Sequence, residues 1–97
     1  MNQYGAQARR YWQEHLPGRY AQIEDPEAFF ADLGEEMAEQ VVELTHSIAG
    51  PDRPGEGFLG KVGRLNMARL SAEEQVMREM LPASDGEEQG SVDSSLA

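Results

Sequence analysis

The chain has 97 residues, and eighteen Asp and Glu against eight Lys and Arg give it a formal charge of −10. This size allows one modest core, and the absence of cysteine excludes disulfides, thiolate chemistry and a zinc–cysteine site. The charge repels phosphate backbones and anionic lipid, so we expect no direct nucleic-acid binding, no membrane association, and a protein partner with a basic surface. No apolar run approaches the roughly 18 residues that span a bilayer, and we expect a cytoplasmic protein.

The first predicted helix covers about 2–16. Aromatic and apolar residues recur at helical spacing from Tyr4 to Leu16. Pro17 ends the run because proline cannot continue a helix interior. The segment 17–24 is too short for a strand pair, and its two apolar anchors predict a connector that folds back.

The second predicted helix, 26–49, has the clearest boundary signals. Asp25 can accept the free N–H groups of the first turn, and Pro26 suits the first helical position. Gly50 follows its end. Apolar residues recur every three or four positions and predict one continuous core face. They are Phe29, Leu33, Met37, Val41, Leu44 and Ile48.

Acidic residues occupy the opposite side of this helix at the same period, with no Lys or Arg among them. We call Asp32, Glu35, Glu36, Glu39 and Glu43 the acidic stripe. One interpretation is an ordinary solvated helix face. However, like charges at this spacing destabilise a helix by tenths of a kilocalorie per pair. The stripe is therefore also a candidate surface for docking on a basic groove, including by mimicry of nucleic-acid phosphates.

A third helix is predicted over 58–81, after a loop of eight residues that holds three glycines and two prolines. One alternative is a break at Ser71, which could start a capping box. Beyond Pro82, the segment 83–97 is small, polar and acidic, and we expect it to be disordered. The predicted apolar side of the helix consists of Phe58, Val62, Leu65, Val76 and Met80, flanked by Leu59, Leu70, Met77 and Leu81.

Three polar residues of the third helix, Asn66, Arg69 and Glu73, are expected to project toward its apolar side. Buried charge is unfavourable unless it is paired. These residues therefore predict either a polar network that fixes helix register or a polar surface that contacts a partner.

Catalysis and metal binding are not expected. Glu43 and His46 match the Glu-x-x-His spacing of di-iron bundles, but such a site needs two of these motifs and further inward carboxylates. His15 lies near a helix end without a nucleophile beside it, and the glycines of 55–63 fit no phosphate-binding loop. We expect no catalytic residue, no metal and no cofactor, and therefore no enzyme.

Two sequence blocks together resemble the transposon-encoded TnpV family of bacterial mobile elements. The first is Tyr4-Gly5 followed by RRYWQEHLPGRY from Arg9 to Tyr20, and the second is GRLNMARLSAEEQVMRE from Gly63 to Glu79. The resemblance implies a mobile-element origin. It also implies an interhelical polar network between the first and third helices, formed by Arg9, Arg10, Glu14, His15, Arg64, Asn66, Arg69 and Glu73.

The expected architecture is thus all-α, a small three-helix domain over 1–82 with a disordered acidic tail over 83–97. We expect a non-catalytic accessory protein of a mobile element or phage that acts by protein–protein binding. The leading alternative is an acidic nucleic-acid mimic of the anti-CRISPR type, which would inhibit a host defence protein. A second alternative is a self-assembling accessory protein, a possible homodimer, in which the second helix pairs with its own copy.

Overall fold

The computed structural model describes residues 1–83, and within that range the chain is all-α with no strand. The helices are α1 (Gln3–His15), α2 (Pro17–Ala21), α3 (Pro26–Ala49) and α4 (Phe58–Met80). The all-α prediction is confirmed. The predicted acidic tail lies, apart from Ala83, outside the described residues. None of the helices in residues 1–83 is long and apolar enough to cross a membrane.

The three predicted helices are present, and one short additional helix, α2, forms where a connector was expected. Pro17 sits at its first position, where the missing N–H is not needed. The Tyr20 amide then donates to the Leu16 carbonyl at 2.8 Å and closes the turn. In contrast, α4 runs through Ser71 without a break, so the alternative of a split helix is not realised.

Within the described chain there are two compact units, which we treat separately. The first unit comprises 1–35 and 81–83, and the second comprises 36–80. Helix α3 contributes its first part to one unit and its second part to the other. The prediction of a single domain over 1–82 stays a prediction.

In the first unit, α1 and α3 approach each other at two glycines. A Cβ atom built on Gly34 would lie 2.7 Å from the Gly5 amide nitrogen, and one built on Gly5 would collide with the Phe30 carbonyl oxygen. Asn2 bonds to both helices at this close approach. Its Oδ1 caps α1 by accepting from the Gly5 amide, and its Nδ2 donates to the Gly34 carbonyl, both at 2.9 Å. The buried hydrophobic residues of this unit are Ala8, Trp12, Leu16 and Phe30.

In the second unit, the end of α3 and the start of α4 are tied together by Arg64. Its guanidinium donates to both carboxylate oxygens of Glu56, at 2.8 and 2.9 Å, and to the carbonyl oxygen of Ala49 at the end of α3. Gly50 follows α3 with a φ of 69°, which glycine adopts without strain. The buried hydrophobic residues here are Met37, Val41, Ala49, Ala68, Ala72 and Val76.

The core face of α3 is rotated from the predicted one at both ends of the helix. Phe30 is fully buried and Phe29 is 40% exposed, and Ala49 is buried whereas Ile48 is 44% exposed. Only the middle of the predicted stripe, Met37 and Val41, is buried as expected.

The prediction for α4 was wrong to a greater degree, because its buried face is lined by small residues. Ala68, Ala72 and Val76 are buried at intervals of four, and only Val76 was among the nine residues expected to pack. Four of those nine residues are exposed instead: Phe58, Leu59, Val62 and Leu70. Alanine side chains let two helix backbones come close, so α4 buries little side-chain volume for its length.

Candidate protein-binding surface

The structure places the whole acidic stripe in solvent. All five of its residues are exposed on α3. Within residues 1–83, none of these carboxylates forms an ion pair, whereas Lys61, Arg64 and Arg78 all pair with acids elsewhere. The stripe therefore keeps its negative charge free for an external cation.

Two grooves meet at Glu43 in the second unit. The first has a volume of about 390 Å³ and lies between α3 and α4. The second has a volume of about 360 Å³ and follows the outer side of α3. The first is lined by Gln40, Glu43, Leu44, Ser47, Gln75, Val76 and Glu79, and the second by Ala38, Glu39, Val42 and Glu43.

The first groove combines an apolar floor with an acidic rim. Leu44 and Val76 supply aliphatic surface, and Glu43 and Glu79 carry carboxylates at its edges. Long cationic side chains bury their methylene stems against apolar surface while their charged heads seek acceptors. A charge-assisted hydrogen bond from a guanidinium to a carboxylate is among the stronger polar contacts in proteins. The groove is therefore suited to an arginine or lysine side chain.

The first half of the predicted polar network lies on α1 in the first unit. The Nε atom of Arg9 donates to the hydroxyl of Tyr20 at 3.0 Å. Arg10 and Glu14 are exposed, and His15 is exposed with its Nε2 3.9 Å from Glu14 and its ring 4.8 Å from Tyr11.

The second half lies on α4 in the second unit. Arg64 makes the contacts with Glu56 and Ala49 described above, Glu73 is half-buried, and Asn66 and Arg69 are exposed. The expectation that Asn66 and Arg69 face a buried apolar side was therefore wrong. The interhelical network itself stays a prediction.

Sequence reasoning missed two polar residues, one in each unit, that accept several hydrogen bonds from other side chains. Tyr20 accepts hydrogen bonds from Arg9 and, at 3.2 Å, from Gln13, and these bonds lower the pKa of its hydroxyl. Glu56 accepts the Arg64 hydrogen bonds, which hold the pKa of its carboxyl below the ordinary value. The same contact raises the pKa of Arg64. An acid in the glycine-rich loop, eight residues before an arginine, was the available signal.

A second unusual surface lies on the first half of α4. Phe58 is 78% exposed, Leu59 82%, Met67 69% and Leu70 55%. We call these four residues, with Val62, the exposed α4 face. Exposed apolar residues mark interaction sites in soluble proteins where they form a contiguous patch.

No metal site accompanies these surfaces in the part of the chain that the structure describes. No group of three or more potential ligands comes together among residues 1–83, and His46 stands exposed at the end of α3 with a single motif partner. Comparison with protein-family models, with curated proteins and with solved structures finds no match to this chain.

Proposed function

We propose that this protein is a small non-catalytic accessory protein of a mobile element or phage that acts by binding a basic surface of another protein. The observation that carries the proposal is the acidic stripe, five exposed carboxylates on one helix to which no cation is paired within residues 1–83. Surface charges in proteins are usually interspersed with charges of the opposite sign. A stripe of a single sign steers a cationic partner and fixes its orientation.

The centre of the binding surface is Glu43, where the two grooves meet. A partner segment with two cationic side chains could place one in each groove, on either side of this carboxylate. Because such contacts are largely electrostatic at an exposed surface, binding weakens as salt screens the charges. The mobile-element origin rests on the two sequence blocks that resemble the TnpV family.

Affinity capture from the bacterial host with salt-stepped elution tests this function. The wild-type chain is expected to retain a basic protein that elutes as ionic strength rises, and the triple variant Glu35→Gln, Glu36→Gln, Glu39→Gln is expected to lose most of it. The matched control, Glu14→Gln, Glu24→Gln, Glu27→Gln, removes the same charge from exposed positions outside the stripe. Equal retention by the wild type and both variants would show that Glu35, Glu36 and Glu39 take no part in binding and would contradict the proposal.

Mimicry of nucleic-acid phosphates is a second candidate, favoured by the charge density of the stripe. Five carboxylates from Asp32 to Glu43 occupy eleven helical steps, roughly 16 Å at 1.5 Å per residue. That is about one charge per 3–4 Å, close to the one phosphate per 3.4 Å of a single DNA strand. An inhibitor of the anti-CRISPR type would use this likeness to occupy a nucleic-acid channel.

Competition separates the two candidates. If the captured partner is a nucleic-acid-binding protein, duplex DNA should displace the wild-type chain from it, because both ligands would occupy the same basic channel. A partner that binds DNA and this chain simultaneously would contradict mimicry. The remaining candidate would then be docking on a basic surface outside the DNA-binding channel.

A further inference from the structure

The exposed α4 face requires an explanation that the acidic stripe does not provide. Its large apolar residues cluster between Phe58 and Leu70, in the first thirteen residues of the helix. The buried side of the same segment contributes only one fully apolar buried residue, Ala68. This part of α4 therefore presents more apolar surface to solvent than it packs.

The charges of this segment are all positive. Residues 58–70 hold Lys61, Arg64 and Arg69 and no acid, so a chain of charge −10 carries +3 here and −13 elsewhere. Lys61 pairs with Asp52 at 2.9 Å, and Arg64 is engaged by Glu56. Arg69 is exposed, and no ion pair holds it within residues 1–83. The surface that fits this face is thus acidic and partly apolar.

We propose that the exposed α4 face binds the outer side of α3 in a second copy of this chain. That outer side carries Glu36, Glu39 and Glu43 without a cation, and Val42 among them is 56% exposed. The second groove, between Ala38 and Glu43, offers a concave seat for an apolar side chain such as Leu70. Both charge and apolar surface are therefore complementary between the two faces.

This association is head-to-tail, because one face meets a different face on the next copy. Contacts of that type extend into open chains unless the rotation closes a ring. The thirteen residues span about 20 Å, and a helix is about 10 Å wide, which gives an area on the order of 200 Å². Stable interfaces bury roughly 800 Å² per partner. We therefore expect weak self-association, with a dissociation constant nearer to 1 mM than to 1 μM.

Sedimentation of the full chain and two charge-reversed variants tests the proposal. The weight-average mass of the wild type should rise steadily up to about 1 mM protein. Arg69→Glu alone, and Glu39→Lys with Glu43→Lys, should each remain monomeric, with self-association weakened at least tenfold. A mixture of the two variants should associate again and extend into chains in which the two variants alternate, because the mutated faces are complementary to each other and the unmutated faces form the wild-type contact.

The acidic double variant and a test with lipid vesicles distinguish this arrangement from two competing ones. Pairing of two α4 faces with each other would leave the acidic double variant associating normally, which would overturn the proposal. A wild type that stays monomeric to about 1 mM but sediments with vesicles of four parts neutral and one part anionic lipid would also overturn it, in favour of a membrane surface.

Leu59→Ser is a second variant that should lower self-association without a change of charge. Far-UV circular dichroism confirms that each exposed substitution leaves the helices intact.

The self-association does not require that an external partner exist. If the triple glutamine variant retains the host protein but the mixture of the two charge-reversed variants still associates, the proposed function fails and this inference stands. If the triple glutamine variant loses the host protein but the mixed variants do not associate, this inference fails and the proposed function stands.

Discussion

Gly5 and Gly34 allow the α1 and α3 backbones to approach so closely that a methyl group at either position would not fit. A side chain at either position would meet backbone atoms, which cannot swing away as a flexible side chain can. The close approach also lets Asn2 bond to both helices. Gly5 belongs to the Tyr4-Gly5 pair of the first sequence block, so the geometry provides a physical reason for glycine there.

Gly34→Ala is expected to lower the free energy of unfolding by about 1–3 kcal/mol, the usual effect of overpacking, despite the better helix propensity of alanine. Gly63→Ala is the matched control, because it lies inside α4 with no atom within 4 Å of the new Cβ. It should raise stability by about 0.5–1 kcal/mol through propensity alone. Urea unfolding followed by circular dichroism measures both, and a Gly34→Ala variant as stable as Gly63→Ala would contradict the close contact.

The Glu56–Arg64 pair makes stability depend on pH. The hydrogen bond from Arg64 lowers the pKa of Glu56 in the folded chain below its ordinary 4.5. The ionised carboxylate therefore favours folding above pH 4.5, and this contribution is lost as the pH falls further, through the folded pKa. Glu56→Gln should thus have a lower Tm than the wild type at pH 7, and the difference should shrink below pH 4.5.

Thermal unfolding of both proteins from pH 7 to pH 3 checks this expectation. Comparing wild type with variant at each pH cancels the titration of the other carboxylates. Glu74→Gln is the control, because its partner Arg78 is exposed and such pairs contribute little. A Tm difference for Glu56→Gln that is unchanged at pH 3 would show that the ionised carboxylate is not what Arg64 requires.

At the scale of single elements, the helices were predictable because their ends carry local signals. Asp25 caps α3 through its Oδ1 atom, which accepts from the Ala28 amide at 3.2 Å, and Gly50 ends the helix. The face that each helix buries depends on its neighbour instead. Phe29 and Phe30 are adjacent and equally apolar, so periodicity alone cannot choose between them.

Packing decides in favour of Phe30. Both phenylalanine rings meet Trp12 edge-on, but only Phe30 also stacks on Tyr20, at 6.0 Å, and is fully buried. For α4, the choice of Ala68 and Ala72 as the core face depends on close helix contact, which no pattern of large residues reveals. The acidic stripe was predictable because exposure follows from charge, whereas the first groove beside Glu43 arises only when α3 and α4 pack.

The assignment of register in α3 can be tested by truncating the two phenylalanines separately. Phe30→Ala removes a fully buried ring and should lower stability by about 3–5 kcal/mol, which is enough to unfold a protein of this size. Phe29→Ala should have a clearly smaller effect, about 1 kcal/mol, because its ring is 40% exposed.

Guanidinium unfolding followed by circular dichroism measures both variants. If Phe30→Ala does not fold, Phe30→Leu keeps the comparison measurable, with a smaller loss of buried volume. Equal destabilisation at the two positions would place both rings in the core and contradict the observed register.

At the scale of the whole molecule, the charge of −10 is unevenly distributed, and the stripe concentrates repulsion on α3. Its residues form five like-charge pairs at separations of three or four: 32–35, 32–36, 35–39, 36–39 and 39–43. Each such pair typically destabilises a helix by about 0.2–0.5 kcal/mol. Substitution of Glu35, Glu36 and Glu39 by glutamine removes all five pairs, so this triple variant should unfold several degrees above the wild type at low salt.

The gain in Tm should disappear as salt is raised, because the screening length falls from about 30 Å at 0.01 M to about 3 Å at 1 M ionic strength. The control triple variant at Glu14, Glu24 and Glu27 loses the same charge but no like-charge pair along a helix, and should show no such gain. A stripe variant that is both more stable and unable to bind would mean that α3 keeps a destabilising charge pattern for recognition. A stripe variant that is no more stable than the control would show that the stripe does not destabilise α3. The stripe would then be better explained as an ordinary solvated helix face.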